Sequence, residues 1–460
     1  MTATGALPKP RGLWRTIMLS GALAFAITIV MQPLFVLALM QVRGHTDLDA
    51  VRSHIRAAFD QGVLAENHRP ERFIHRGGHQ FTECIGHVVL LDRQPDAART
   101  AIFPLIHDDY RLRNPCEELK KLANGIQPAA VTDYARYWHG YRVYLWPLLE
   151  QFSLATVRLI NAALILAAVF ACYAGVRANI GATPAAVFIV VLLSLTDLWL
   201  AWRISTHAVS LAFILLGVAG FALLHARWRD PYVAVAAAAL CGATFNFLDI
   251  LVNPPMMPML LAFLVLAARE PPQHLGAPPQ PLGAGWLAAL VAVSWIGAYA
   301  LTWLTKWGLA VWYSPVPAAT QGEIWAQITA RLHGNEVNHP PILSIPLYPT
   351  VRMFGKALIS FGVVVVIVLA IAIYRHIRDH RTAFDHRRFL ILISPVLIPI
   401  VWFELLSNHT QTHLQFTYRS ASTAIAIMFA AALLACRQPT TLRQLIAGLR
   451  RLRRSSEARC

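Results

Sequence analysis

The sequence predicts an all-α polytopic membrane protein of about ten transmembrane helices, with a mostly helical extracytoplasmic domain after the first span. Three observations carry that expectation. The chain is 56% hydrophobic and only 14% charged over 460 residues, against roughly 25% charged in a soluble domain. Its mean hydropathy is +0.49, and apolar runs of about twenty residues recur along it. Basic residues gather at alternate turns between those runs, as the positive-inside rule requires. A net charge of +16 would otherwise suggest a nucleic-acid partner, but its placement beside spans points to membrane orientation instead.

In chain order, residues 1–42 hold a basic start (Lys9, Arg11, Arg15) and a first span over 16–40. That run is too long for a signal peptide and no small-residue cleavage site ends it, so it reads as retained, with a cytoplasmic N-terminus. Residues 43–142 form a large hydrophilic extracytoplasmic domain. The membrane domain, 143–305, opens with an interfacial helix near 143–152, interrupted by Pro147 and Glu150, and then a span over 155–173. Arg177 marks the inner turn, and spans over 184–201 and 209–225 follow. The next pair is 232–247 and 256–268, with Arg227 and Arg229 before it and the helix-breaking Asn253-Pro254-Pro255 between its members. A Pro/Gly-rich stretch at 270–285 reads as a cytoplasmic linker. A span over 286–304 leads to a smaller extracytoplasmic segment, 306–351. The C-terminal spans occupy 352–436, as 352–374, 389–406 and 420–435, with Arg375, Arg378, Arg381, Arg387 and Arg388 at their inner turn. The tail, 437–460, is basic and cytoplasmic, either a stop-transfer anchor or an amphipathic helix on anionic lipid. No internal repeat of the transporter kind is visible.

Six cysteines show no C-x-x-C spacing, so neither a zinc site nor a thioredoxin-like motif is indicated. Cys84 and Cys116 alone fall in the outer domain, where an oxidising compartment favours their pairing. The bridge would close a loop of about 30 residues and contribute about 3–4 kcal/mol.

The topology sorts the unusual polar residues to the outer side: Glu83, Trp138, His139, Asn246, Asp249, Lys306, Asn408, His409 and His413. Ionisable groups at membrane depth cost a few kcal/mol each and usually mark function. Glu83 lies between apolar positions, where desolvation would raise its pKa toward that of a general base; the alternative is a solvated loop glutamate. Asp47 and Asp49 follow the first span, either facing the membrane surface or capping a helix. Asn246 and Asp249 would share one helical face, as a polar site at a broken helix or as interhelical hydrogen bonding. His409 and His413, at i, i+4, would share a metal only with a third ligand; without H-E-x-x-H they read as interfacial histidines or phosphate donors. Asn408-His409-Thr410 matches a glycosylation sequon but lies against the membrane. Lys306 and Arg419 close outer turns, to hold a lipid phosphate or to snorkel among headgroups.

Five segments carry a resemblance: Thr82-Glu83-Cys84, Arg136-Tyr137-Trp138-His139-Gly140-Tyr141, Phe245-Asn246-Phe247-Leu248, Trp303-Leu304-Thr305-Lys306-Trp307, and Asn408-His409 through His413 and Phe416-Thr417-Tyr418-Arg419. In this order the chain resembles the GT-C superfamily of polyprenyl-phosphate-sugar-dependent glycosyltransferases, and within it a group of bacterial membrane proteins. It is similar also to bacterial arabinofuranosyltransferases. Two positions depart from the group's pattern. Asn246 stands where the group commonly has Asp, and Glu83 where its loop acid is often Asp.

The resemblance implies a bacterial cytoplasmic (inner) membrane enzyme with both termini cytoplasmic and its site on the extracytoplasmic side. A sugar on polyprenyl phosphate would be the donor, and a glycan, lipid or protein the acceptor. Membrane lipids are implied as partners and no nucleic acid is; no cofactor is firm, a divalent metal being an alternative without support in the sequence. Glu83, or one of Asp47 and Asp49, would deprotonate the acceptor hydroxyl; Lys306, Arg419, His409 and His413 would hold the leaving phosphate; Trp138, His139, Asn246, Asp249 and Asn408 would line the substrate site. Glu83 would then face a cavity near His139, Lys306 and His409. The rival is a transporter or lipid-linked-sugar flippase, which needs polar residues through the bilayer; Arg158 and Asn161 are the main ones seen. A non-catalytic assembly partner is a third reading.

Overall fold

Pro10–His45 forms one helix of 36 residues, α1, which packs on the short helices of the hydrophilic segment and on the long apolar helices alike. It belongs to a computed structural model describing residues 10–67, 80–92, 94, 96–107, 114–126, 131–224, 230–268, 282–333, 345–359, 362–379 and 384–436. The tail at 437–460, most of the linker at 270–285, and Lys9, Arg227, Arg229 and Arg381 lie outside the described residues.

Among its described residues the hydrophilic segment folds as four short helices and one two-stranded ribbon. These are α2 (Leu48–Asp60), α3 (Phe81–Leu90), α4 (Ala97–Ile102), β1 (Leu105–His107), α5 (Pro115–Ala123) and β2 (Val131–Asp133). The strands are antiparallel, with Ile106 opposite Thr132. Each of three helices starts at a side chain that accepts backbone N–H groups: Asp47 for α2, Asp96 for α4 and Asn114 for α5. The sulfurs of Cys84 and Cys116 are bonded at 1.96 Å and tie α3 to α5. Arg56 of α2 donates to the last carbonyl of α5, that of Ala123, at 2.9 and 2.8 Å.

α6 (Arg142–Gln151) leads into the membrane-type bundle: α7 (Leu154–Ile180), α8 (Ala182–Leu195), a 3-10 turn at Leu198–Arg203, α9 (Ser205–Leu223), α10 (Pro231–Leu248), α11 (Met256–Ala267) and α12 (Ala284–Tyr313). Then come α13 (Pro317–His333), α14 (Tyr348–Leu358), α15 (Gly362–Asp379), α16 (His386–Ile393), α17 (Leu397–Leu405), α18 (Ser407–Thr412) and α19 (Leu414–Leu434). Among the described residues seven stretches are long and apolar enough to cross a membrane: α1, α7, α9, α10, α12, the α16–α17 pair and α19. The bent pair α14–α15 makes up to eight. The expected spans at 184–201 and 256–268 are apolar helices of only 14 and 12 residues, α8 and α11. A single span over 352–374 is replaced by two helices, because α14 is amphipathic and carries Arg352 and Lys356, while α15 begins afresh at Gly362.

Small residues let the helices close up, as membrane bundles require. A Cβ at Gly242 of α10 would stand 2.3 Å from the Trp295 carbonyl of α12, and one at Gly362 would stand 1.9 Å from the Ser194 carbonyl of α8. Large apolar side chains remain exposed on the outward faces of α1, α7, α12 and α15, among them Phe25, Phe170, Val293 and Val364. On helices of this length such a surface is suited to lipid.

Candidate functional site

Five pieces of chain meet around a cavity of about 220 Å³ between the short-helix domain at 43–142 and the bundle. They are the start of α3 (Phe81, Thr82, Ile85), the stretch after β2 (Tyr134, Arg136, Tyr137), the α10–α11 connection (Ile250, Val252), α13 (Gln327, Arg331), and α18 with the start of α19 (His409, Thr412, His413, Phe416). No carboxylate is among these described lining residues.

The cations are held by aromatic rings and amides. Arg136 sits over the Tyr134 ring at 4.4 Å and donates to the Gln327 side chain, while its carbonyl accepts from the Trp303 and Trp307 indoles at 2.8 and 3.3 Å. Arg331, one helical turn beyond Gln327, donates to the Tyr137 hydroxyl at 2.6 Å and stands 5.5 Å from that ring. It is buried, and its Nε has no hydrogen-bond partner among the described residues. Opposite, the His409 and His413 rings lie 4.6 Å apart, and Phe416 stacks on His413 at 5.2 Å. Two guanidiniums and two imidazoles facing aromatic walls are chemistry suited to an anion.

The α10–α11 connection is shaped locally. Asp249 leaves the helix in extended conformation and its Oδ2 accepts from the Val252 N–H at 2.9 Å. Leu251 takes the left-handed conformation, φ 70°, strained for a branched side chain. Its carbonyl lies 3.3 Å from His409 Nε2, and Asn253, in the amide orientation that satisfies it, donates to the Phe416 carbonyl at 2.9 Å. The break thus fastens to the histidine-bearing helices.

Of the residues expected at the site, His409 and His413 line the cavity. The others sit elsewhere, each for a visible reason. Glu83, in the first turn of α3, is fully buried, accepting from the Ser205 N–H (2.6 Å) and hydroxyl (3.0 Å), beside His87 (3.2 Å) and Arg158 (3.9 Å). Burial raises its pKa, but His87, Arg158 and Ser205 outweigh burial and hold it below the usual carboxylate value, the reverse of a poised base. Asp47 is an exposed cap and Asp49 an exposed partner of Arg52 at 3.4 Å, so capping is the role the structure gives the first of them. Lys306 donates to the Ile102 carbonyl at the end of α4 and stands 5.4 Å from the Trp138 ring. Arg142 takes the two preceding carbonyls, Thr100 at 3.0 Å and Ala101 at 3.4 Å, so buried cations cap the last turn of α4 from both sides.

Arg419 is consumed by Asp197, at 2.5 and 2.8 Å. Trp138 is buried and donates to the Thr302 carbonyl (3.2 Å); Asn246 is buried against Tyr299; Asn408 accepts from Thr412 (3.5 Å) behind the cavity wall. His139, at φ 56°, spans Tyr134 and Tyr141, and burial with the nearby Arg142, Lys306 and Arg136 charges holds it well below the ordinary imidazole range. Arg158 and Asn161 also have structural partners, the Val63 carbonyl (2.7 Å) and the Ser205 hydroxyl (3.2 Å). Among the described residues no group of three or more metal-ligating side chains forms, so nothing joins His409 and His413 as a third ligand.

Sequence reasoning missed Arg331, Gln327 and Asp197. The first two carried no local signal beyond i, i+4 spacing on one helix, α13. Asp197 did carry one, as an acid inside an apolar run. No family model, curated protein or solved structure matches the chain.

Proposed function

We propose that this chain is a glycosyltransferase of the GT-C type, moving a sugar from a polyprenyl-phosphate donor to a glycan, lipid or protein acceptor. In this reading about ten helices, α8 and α11 among them, serve as spans of a bacterial cytoplasmic membrane. Both termini are cytoplasmic, and the domain at 43–142 lies outside. The observation that supports it is the cavity joining Arg136, Arg331, His409 and His413 under the outer domain. A phosphate that leaves with the polyprenol gains charge in the transition state, and buried guanidiniums are the groups that stabilise it best. Tyr134, Tyr137 and Phe416 offer ring faces to a sugar. With no carboxylate among the described lining residues, the imidazole of His409 or His413 is the group at hand to take the acceptor's proton. Glu83, Lys306 and Arg419 support the walls and do not touch substrate in this reading.

The test is mass spectrometry of cell-surface glycans and polyprenyl-linked sugars with and without the gene. Loss of one glycan, accumulation of its unspent polyprenyl-phosphate sugar, and rescue by wild type but not by His413→Asn are expected. Unchanged glycans and lipid-linked sugars would sink the reading. The transporter or flippase alternative draws on the Asp197–Arg419 pair buried between spans. It requires Asp197→Asn to abolish substrate movement while His413→Asn leaves it intact.

A further inference from the structure

A second cavity lies at the other end of the bundle. α12 connects the two: Ala288, Ala289 and Ala292 near its start line the second, while Trp303 and Lys306 near its end back the first. At 1.5 Å per residue Ala288 and Lys306 are about 27 Å apart, roughly a hydrocarbon thickness. The second cavity is an open groove of about 860 Å³, walled also by Ala262 of α11 and by Arg387 and Ile391 of α16. That volume falls within the range of sites for molecules of lipid or drug size, roughly 300–1,000 Å³.

Two features say what fits it. The helix faces flanking its mouth carry exposed large apolar side chains, Trp286 and Val293 on α12 and Leu390 on α16, so the groove opens toward the hydrocarbon of a membrane. Its polar end is a cation. Arg387 is exposed at the first turn of α16 and pairs with no carboxylate among the described residues. The helix N-terminus itself is already served by Asp385, which accepts the Arg388 N–H at 2.9 Å, so a headgroup there is met by the guanidinium. A long apolar trough ending in one arginine at the membrane border matches a chain with a phosphate at its end.

We propose that this groove binds an anionic phospholipid, one acyl chain lying along Ala288, Ala289 and Ala292 and the phosphate against Arg387. The site is separate from the sugar-transfer cavity and stands or falls without it. Purified full-length protein in nanodiscs of mixed phosphatidylcholine and phosphatidylglycerol is the sample, and native mass spectrometry reads the lipid retained. Phosphatidylglycerol should be kept over phosphatidylcholine, and Arg387→Gln, on an exposed position, should cut that preference about fivefold. Ala289→Phe, which fills the trough, should lower retention of both lipids. Equal retention of the two lipids overturns the proposal. So does retention indifferent to both Arg387→Gln and Ala289→Phe, or retention confined to added polyprenyl phosphate.

Discussion

Arg419 and Asp197 form a buried two-pronged ion pair between α19 and the connection after α8, at 2.5 and 2.8 Å. His207 of α9 completes the cluster, with Nδ1 3.4 Å from the same guanidinium and its ring edge-on to Phe416, a cavity residue, at 5.2 Å. Two helices and the connection after α8 are therefore fastened directly behind the cavity wall. Removing one partner leaves the other charge buried and uncompensated, a loss of about 3–5 kcal/mol. Arg419→Met and Asp197→Leu should each lower the unfolding temperature sharply. The double variant, which removes both charges, should regain most of it. Thermal unfolding of all four proteins in one detergent checks this; additive losses would mean the pair is not coupled.

Lys306 gives a second expectation of the same kind. Its ammonium holds the Ile102 carbonyl, so Lys306→Met strands a buried acceptor, at a cost of about 1–3 kcal/mol. The change should loosen α4 from α12 while phosphate binding in the cavity persists. Hydrogen exchange over 97–107 together with a phosphate titration separates the two. Lost phosphate affinity with unchanged exchange would return Lys306 to the site.

Glu83 makes a prediction about pH. Its folded pKa is lowered, so the stability it contributes is present above the ordinary value near 4.5 and fades as the pH falls through the lower folded value. Glu83→Gln removes that contribution without changing the shape. The wild type should outlast the variant on heating at pH 7, and the gap should narrow below about pH 4.5. A gap independent of pH would show that the carboxylate's charge is irrelevant.

The membrane class was legible because hydropathy is additive along the chain: α1, α7, α10, α12 and α19 each announce themselves by composition. One cap was legible as an alternative, since Asp47 works on its own next residues. Pairings between distant segments were not. Glu83 meets Ser205, Lys306 meets Ile102 and Arg419 meets Asp197, each across more than a hundred residues of chain. From sequence these charged groups look like free site residues, because their partners (a serine N–H and hydroxyl, a backbone carbonyl, an acid) lie in distant segments. His409 and His413 came through because their spacing is local and their short helix ends at the cavity.

Arg331 is the residue on which the proposed site turns. It is buried, donates to the Tyr137 hydroxyl at 2.6 Å, and has no carboxylate partner among the described residues. A buried guanidinium without an acid is costly unless an anion arrives, and that is the arrangement a phosphate site needs. Arg331→Gln should abolish binding of a polyprenyl-phosphate ligand, about a hundredfold or more given 3 kcal/mol for a charge-assisted pair. The same change should raise thermal stability slightly, because an uncompensated charge is removed. Arg331→Lys should recover only part of the affinity, since an ammonium cannot hold Tyr137 and a phosphate with one planar fork. Tyr137→Phe should weaken binding several-fold with the charge intact. Isothermal titration of the four proteins with polyprenyl phosphate reads all of this. If Arg331→Gln binds as wild type does while losing stability, the arginine is a strut of α13 and the anion site is elsewhere.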